Sequence, residues 1–385
     1  MAAGSRPTRA AIAGIGQTEF SKDSGRSELR LAAEAVRAAI ADAGLSPKDI
    51  DGTVTFTQDT NDELALARTV GLDEIRWASR TPFGGGGASA TVQHAAAAVQ
   101  SGLANAVVIY RAFNERSGHR FGQPAQQARS AGFNFYLPYG LDAPTKMYSL
   151  WFQRYMHVYG LTNADFGLYS VVARRNAATN PNAWFYGRPI TIEDHQRSRW
   201  IVEPILRLLD CCQESDGGVA LVVTTEERAR GLRQPLVTVE AAAQGNVRDG
   251  DVLFNYYHPN MAAFPEAEAS GRLLYESTGL TPGDLDVAML YENFSPVVFY
   301  MLEAYGFCAP GEARDFIADG HIDLDGTIPV NTHGGLLGEA YIHGVNNILE
   351  AVRQLRGSAV NQVKKDVHRA LVAAGRSAVI LGDGT

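Results

Sequence analysis

The chain carries one segment twice, and this duplication restricts its possible folds more than any other feature. Residues 44–51 read GLSPKDID, and residues 279–286 read GLTPGDLD. A helical pattern precedes each copy, a Ser/Thr-Pro turn follows the glycine, and an apolar run comes after the turn. Internal similarity of this kind predicts two copies of one structural unit in a single chain.

The similarity extends well beyond that turn. Residues 84–110 contain a glycine-rich turn, a helical pattern and a buried-strand pattern, and residues 334–384 repeat this order. Each half is therefore predicted to form a βαβα unit in which helices cover a sheet. We divide the chain into an N-terminal half, residues 1–235, and a C-terminal half, residues 236–385.

Composition places the chain among soluble globular proteins. Of its 385 residues, 45% are hydrophobic and 20% are charged, and no apolar run reaches the roughly 18 residues of a membrane span. The N-terminus does not resemble a signal peptide, so we expect a cytoplasmic protein that does not bind a membrane. A net charge of −8 argues against nucleic acid as a partner. Three cysteines without zinc-site spacing do not predict a disulfide framework or a metal site.

One segment of the N-terminal half, residues 112–170, belongs to neither repeat, and we refer to it as the insert. Its aromatic residues are concentrated in residues 133–159, which contain nine of them. Such a segment is a candidate lid over a flat apolar substrate, and equally a candidate for subunit interface or ordinary core.

Together these features resemble the thiolase superfamily. The resemblance covers almost the whole chain and is strongest to the branch of sterol carrier protein x thiolases and lipid-transfer proteins, through residues 173–191, 204–225 and 305–320. It implies an α/β fold in which the duplicated halves stack as a five-layered αβαβα sandwich, with two buried helices between two sheets. It also implies a homodimer.

The residues expected to carry thiolase chemistry are replaced. Family thiolases have a nucleophilic cysteine at the N-terminus of the first buried helix, where the helix dipole favours a thiolate. The matching position here is Gly86 or Gly87, and Ser89 nearby lacks a positioned base. Tyr341 and Tyr291 occupy the positions of two family histidines. This pattern resembles the thiolase-like steroid side-chain-cleaving aldolases, which implies a carbon–carbon lyase that has lost acyl transfer.

That resemblance implies retro-aldol cleavage of a β-hydroxyacyl-CoA. The expected substrate is a steroid side-chain thioester, and the expected products are a ketone and a short acyl-CoA such as propionyl-CoA. We expect Tyr291 and Tyr341 to act as acid and base, in an order that the sequence leaves open. Because a free phenol ionises only near pH 10, His343, His333 and Glu292 are the nearest groups that could complete a proton relay.

Two pairs of glycines are candidates for binding the thioester oxygen. Gly86 and Gly87 in the first half, and Gly334 and Gly335 in the second, would expose backbone N–H groups at helix N-termini. Such groups would stabilise the oxyanion that forms when the carbon–carbon bond breaks.

Basic residues in or beside the insert are candidate contacts for the CoA phosphates, and these are Arg111, Arg116, Arg120 and Lys146. Lys146 is also the only lysine that could suit a Schiff-base mechanism, because the others, Lys22 among them, lie in polar segments. No separate cofactor is required, since CoA arrives as part of the substrate. His333 and His343 are ten positions apart without the spacing of a known motif, so no metal is expected.

Two other functions stay open at this stage. One is a non-catalytic thiolase-like protein that binds acyl-CoA or lipid, and the other is a thiolase-type acyltransferase with an unusual nucleophile. The resemblance further implies a complex with a small zinc-ribbon and OB-fold protein of the DUF35 type, although no residue in the chain demands it. The particular steroid and the need for that partner also stay open.

Overall fold

The computed structural model describes residues 8–123, 133–248, 250 and 256–385, so residues 124–132 of the insert lie outside the described part. Its strands are β1 (Ala10–Gln17), β2 (Gly52–Phe56), β3 (Trp77–Thr81), β4 (Ala106–Asn114), β5 (Trp200–Val202), β6 (Leu206–Arg207), β7 (Asp216–Thr225), β8 (Thr238–Gln244), β9 (Val287–Leu290), β10 (Arg369–Ala373) and β11 (Ser377–Gly382). Its α-helices are α1 (Glu28–Ala43), α2 (Glu63–Val70), α3 (Ala88–Gln100), α4 (Phe133–Tyr136), α5 (Pro144–Tyr159), α6 (Asn163–Thr179), α7 (Ile192–Arg197), α8 (Glu226–Ala229), α9 (Pro265–Thr278), α10 (Ser295–Ala304), α11 (Ala313–Ala318), α12 (Gly335–Gly338) and α13 (Val345–Leu355).

The duplicated turn has the same geometry in both halves. Gly44 ends α1 and Gly279 ends α9, with φ of 72° and 74°, a left-handed conformation that glycine adopts without a steric penalty. After each glycine, a hydroxyl and an aspartate three residues later form a capping box around a short 3-10 turn. The sequence repeat therefore marks a repeated helix end, as predicted.

Strand pairing shows the duplication at the level of the sheet. The first half has the order β3-β2-β4-β7-β1, with β7 antiparallel to its neighbours and β2 parallel to both of its own. In the second half the order is β9-β10-β11-β8, with β11 antiparallel to both neighbours and β10 parallel to β9. A parallel bridge between Ala288 and Val330 takes the place of β3. The matching strand orders show that the chain consists of two equivalent halves. The boundary between residues 235 and 236 stays a prediction.

Two helices lie between the halves. α3 contacts strands of the first half and also β8 and β11, while α13 contacts β9 and β10 and also β1 and β7. On the outer faces, α1 covers β1, β4 and β7, and α9 covers β8 and β11. The layers thus follow the thiolase-like αβαβα order. One departure is that β1 and β8 join the two sheets at their edges through a single residue pair, Ala11 and Thr238.

The insert contributes both to the core and to the surface. Trp151, Phe152 and Tyr155 of α5 are buried, and the Trp151 ring stacks on Tyr300 of α10 with centroids 3.9 Å apart. Tyr139, by contrast, is 83% exposed. Most of the aromatic excess is therefore packing between α5 and the second half. No helix among the described residues is long and apolar enough to cross a bilayer.

Candidate active site

A cavity of about 1310 Å³ opens where the two halves meet the insert. Its inner wall includes the glycine turn and three of the predicted side chains, namely Gly84, Gly85, Gly86, Tyr291, Tyr341 and His343. Charged groups on the wall include Lys22, Glu115, Arg116, Arg120, Arg199 and Arg376. Apolar groups include Tyr148, Phe264, Phe294, Val297 and Met301. The space exceeds the roughly 300–1,000 Å³ of an ordinary small-molecule pocket.

The two predicted tyrosines meet inside this cavity. Their hydroxyl oxygens lie 2.7 Å apart and share a hydrogen bond. Tyr291 follows β9 directly, and its backbone N–H donates to the Ala373 carbonyl of the neighbouring β10. Tyr341 forms a bridge with Glu214, and its N–H donates to Ser215 Oγ at 3.3 Å. The two tyrosines are thus held in place by residues from both halves, although they are 50 positions apart in the sequence.

Glycine is required on both sides of the Tyr291 ring. A Cβ atom on Gly85 would overlap the Tyr291 hydroxyl and ring edge, and a Cβ on Gly344 would lie 2.8 Å from the same ring. The ring therefore occupies the space next to position 85. The family nucleophile is predicted to match Gly86 or Gly87, and of these Gly86 faces Arg376 while Gly87 packs against the Pro82 carbonyl. Of these two, only Gly86 lines the cavity.

Burial keeps both phenols protonated. Tyr291 and Tyr341 are each 7% exposed, and the loss of water raises the pKa of each well above 10. Neighbouring Glu115 raises both pKa values further. Burial therefore disfavours an ionised phenolate base at neutral pH and favours proton transfer through neutral hydroxyls.

His343 lies beside this pair and is held from behind. Its ring is 5.2 Å from the Tyr341 ring, edge to face, and its Nδ1 accepts a hydrogen bond of 3.1 Å from Arg111 Nε. Arg111 also donates to Asp59 at 2.7 Å, with both side chains fully buried. Burial lowers the pKa of His343 well below 6.5, and the Arg111 charge lowers it further. The buried ion pair rules out Arg111 as a surface contact for CoA phosphates, which corrects that expectation.

Glu292 supports the loop behind the cavity. Its Oε1 accepts from Leu336 N–H at 2.6 Å and from the Tyr169 hydroxyl at 3.0 Å, and burial raises its pKa to about 8. A Cβ on Gly335 would collide with this carboxyl, and one on Gly334 would lie 2.5 Å from Ala177 of α6. Gly334 and Gly335 therefore allow close packing, and neither lines the cavity where a thioester oxygen could bind.

His333 is likewise part of the support. Its Nε2 lies 3.2 Å from Asn347 Oδ1 and 3.7 Å from Glu339, and burial lowers its pKa to about 4. Neither His333 nor Glu292 lines the cavity. The geometry favours a supporting role for these two residues instead of the proton relay expected from the sequence.

Among the described residues near the tyrosines, no serine or cysteine has the environment of an activated nucleophile. Ser89 is buried, and its hydroxyl donates to the Val372 carbonyl at 2.9 Å. Cys211 and Cys212 line the cavity, but burial raises the pKa of the Cys212 thiol well above its usual value. A neutral thiol is a poor nucleophile. The site therefore offers proton transfer and hydrogen bonding, and it lacks an activated group for acyl transfer.

Several charged groups of the cavity already have partners. Arg120 Nη2 lies 2.6 Å from Glu214, which is also 4.0 Å from Arg116. Lys146 does not itself line the cavity, and it pairs at 2.8 Å with Asp142, which does, so its contact with the CoA phosphates stays a prediction. Of the predicted basic residues, Arg116 and Arg120 thus remain beside the cavity.

Lys22, Glu115 and Arg376 also line the cavity, and none of them was predicted from the sequence as a site residue. Lys22 donates to Gln213 Oε1 at 2.9 Å, and burial lowers its pKa to about 8. Glu115 is 2% exposed, and burial raises its pKa well above 4.5. Lys22 follows β1, Glu115 follows β4 and Arg376 precedes β11. Their positions just outside strands were the only available signal.

Metal chemistry has no obvious site here. Across the residues that the structure describes, no group of three His, Cys, Asp or Glu side chains could hold a metal ion. The fold and the site together define a thiolase-superfamily protein in which a hydrogen-bonded pair of tyrosines replaces the cysteine-based site.

Comparison with known proteins defines the family more closely. The family described as "Thiolase C-terminal domain-like" matches residues 255–379. A steroid side-chain-cleaving aldolase of Thermomonospora curvata is 56% identical over 98% of this chain and 98% of its own length. The 17-hydroxy-3-oxo-4-pregnene-20-carboxyl-CoA lyase of Mycobacterium tuberculosis is also 56% identical, over 97% of this chain and 99% of its own.

A solved structure gives the same result. The Ltp2-ChsH2(DUF35) aldolase matches with a TM-score of 0.92 and 56% identity, over 97% of both chains. The chain belongs to the thiolase-like steroid side-chain-cleaving aldolases, a family of carbon–carbon lyases.

Proposed function

We propose that this protein cleaves the side chain of a steroid β-hydroxyacyl-CoA by a retro-aldol reaction. The name of the mycobacterial relative describes such a substrate, with a hydroxyl on C17 and a CoA thioester attached at C20. Breaking the C17–C20 bond turns C17 into a ketone and releases the C20 fragment as propionyl-CoA. A cavity of about 1310 Å³ has room for both a fused-ring system and part of the CoA.

The hydrogen bond between Tyr291 and Tyr341 carries this proposal. Burial raises the pKa of both phenols, so a resting phenolate base would cost several kcal/mol. A relay avoids that cost: one tyrosine accepts the substrate hydroxyl proton while donating its own proton to the other. In the same step the second tyrosine donates its own proton to the carbon that loses its bond, so neither hydroxyl carries two protons.

This relay balances protons and electrons. The electron pair of the O–H bond in the C17 hydroxyl forms the second C–O bond of the ketone. The electron pair of the C17–C20 bond passes into the thioester, which gains enolate character. The second tyrosine returns one proton to C20, so both tyrosines end protonated. The reaction needs neither a covalent intermediate nor a separate cofactor, and CoA enters and leaves as part of the substrate and product.

The alternatives have less support. A non-catalytic acyl-CoA or lipid binder does not need two buried phenols joined by a hydrogen bond of 2.7 Å. A thiolase with another nucleophile would need Ser89 or a cysteine in an activating environment, and the environments of Ser89 and Cys212 are deactivating.

Conservative replacement of the two tyrosines tests the proposal. With 17-hydroxy-3-oxo-4-pregnene-20-carboxyl-CoA as substrate, we expect Tyr291→Phe and Tyr341→Phe each to lower kcat by about 10²- to 10⁴-fold, measured as release of the 17-ketosteroid. Tyr110→Phe is the matched control, because Tyr110 is fully buried and no described residue bonds its hydroxyl. Wild-type rates in either active-site variant would refute the relay.

The partners also belong to this proposal. We propose that the chain assembles with a small DUF35-type protein, because the solved relative is named as an Ltp2-ChsH2(DUF35) aldolase. The homodimer is proposed from the resemblance to the thiolase superfamily alone. Co-expression with such a protein and light scattering would test both points. A monomer with full lyase activity would refute them.

A further inference from the structure

His343 has two ring nitrogens with different surroundings. Nδ1 accepts the hydrogen bond from Arg111 Nε, at 3.1 Å. His343 lines the cavity, and its Nε2, across the ring from Nδ1, bonds to no described residue. An arginine side chain can donate hydrogen bonds but cannot accept them, so Nδ1 must be the acceptor and carries no proton. The single ring proton of a neutral imidazole then belongs on Nε2.

Arg111 is itself fixed in this orientation. Its Nη1 donates to Asp59 Oδ2 at 2.7 Å, and Asp59 also accepts from the side chain of Asn61 at 2.7 Å. The guanidinium lies 4.2 Å from the centroid of the Phe113 ring. Because both charged side chains are fully buried, the pair has no water that could replace a lost contact. Rotation of Arg111 away from His343 would therefore be costly.

We infer that Arg111 is a positioning residue, which holds His343 as an Nε2–H hydrogen-bond donor to the substrate oxygen that becomes the enolate oxyanion. This inference rests on the proposed function. It assigns to His343 a role as donor and excludes it from the proton relay, which the two tyrosines complete alone. A positive charge behind the ring polarises the Nε2–H bond and strengthens it as a donor toward a developing anion.

The surroundings of His343 keep it neutral over the working pH range. Phe56, Phe113 and Phe121 surround the ring with centroids 5.1 to 5.9 Å away. Its polar neighbours are Arg111, with Asp59 behind it, and Tyr341. Asp59 is neutralised by its own ion pair with Arg111, so a second positive charge on the ring would face the guanidinium without compensation.

Nuclear magnetic resonance of histidine-labelled protein tests the tautomer. We expect the His343 resonance, assigned by its loss in His343→Gln, to show a protonated Nε2 and a bare Nδ1, unchanged between pH 5.5 and 8. In the double variant Arg111→Met with Asp59→Asn, which removes both charges together, we expect mixed tautomers and a titration inside that range. An Nδ1–H tautomer in the wild type, or no change in the double variant, would overturn the inference.

Kinetics of two His343 variants test the donor role even if the double variant does not fold. Glutamine keeps an N–H donor near the Nε2 position, and phenylalanine removes it. We expect His343→Phe to lower kcat by about 10²-fold or more with a smaller change in KM, and His343→Gln to recover at least tenfold of that loss. Equal loss in both variants, or no loss in either, would refute the donor role. Absence of ketone release by the wild type would instead refute the proposed function.

Discussion

The Tyr291 ring fills the space that a side chain at position 85 would occupy, because a Cβ atom there would overlap the tyrosine hydroxyl. Position 85 lies in the 3-10 turn that leads into α3, the first of the two central helices. A family thiolase places its nucleophile at the N-terminus of the corresponding helix. The lack of a side chain at position 85 and the position of the Tyr291 ring are therefore coupled.

This coupling makes Gly85→Ala a sharp test of the site. One methyl group would displace the Tyr291 ring and break its hydrogen bond to Tyr341, and overpacking costs about 1–3 kcal/mol. We expect kcat to fall by about 10²-fold or more while the protein stays folded, measured by ketone release and circular dichroism. Gly283→Ala is the matched control, since its Cβ would lie 3.7 Å from Thr281 Oγ1, an ordinary contact. Normal activity in Gly85→Ala would contradict the geometry.

Much of this architecture could be predicted because it depends on local signals. The glycines that end α1 and α9 and the capping boxes that follow them are set by short sequence patterns. These patterns revealed the duplication. The family resemblance then singled out Tyr291 and Tyr341, whose hydroxyls share a hydrogen bond. A run of four glycines has no such signal, because its members are identical in sequence, and the sequence therefore did not show that Gly85 is the one that packs against Tyr291.

Other features depend on contacts between distant segments. Arg111 was expected to contact the CoA phosphates, but β4 has a strand on each side, and Arg111 meets Asp59 and His343 inside the protein. Gly334 and Gly335 were expected to bind the thioester oxygen, yet they allow α6 and Glu292 to approach. Sequence shows that a residue is glycine or arginine, but it does not show which distant element packs against it.

Replacement of the cavity cysteine gives a second prediction. Burial raises the pKa of the Cys212 thiol well above its usual value, so it is neutral at pH 7 and does not attack the thioester. We expect Cys212→Ala to keep lyase activity within about threefold of wild type, and mass spectrometry of quenched wild-type reactions to show no acyl-enzyme. Loss of ketone release together with a trapped acyl-cysteine in the wild type would favour the acyltransferase alternative.

The buried carboxyl of Glu292 gives a prediction about stability. Its pKa rises from 4.5 to about 8 on folding, so the stabilisation is complete below pH 4.5 and is lost as the pH rises through 8. Glutamine can still accept from Leu336 and Tyr169, and it carries no charge in either state. Relative to wild type, we expect Glu292→Gln to gain about 1.4 kcal/mol of stability per pH unit between pH 4.5 and 8.

Chemical denaturation at several pH values would measure this difference. Comparison of the variant with wild type at each pH cancels the other groups that titrate in the same range, such as His333, whose pKa falls to about 4. A stability difference that does not change with pH would show that Glu292 titrates normally.

The pH dependence of kcat distinguishes the tyrosine relay from a phenolate base. Burial raises the pKa of Tyr291 and Tyr341 well above 10, so neither phenol ionises between pH 7 and 9.5. In a relay between neutral hydroxyls the rate does not depend on a small ionised fraction, and we expect kcat to change by less than about twofold over that range. A phenolate mechanism instead requires kcat to rise about tenfold per pH unit below the pKa of the base. Such a rise, with unchanged circular dichroism, would refute the relay. The 2.7 Å hydrogen bond between the two hydroxyls would then stabilise a phenolate anion instead of passing a proton.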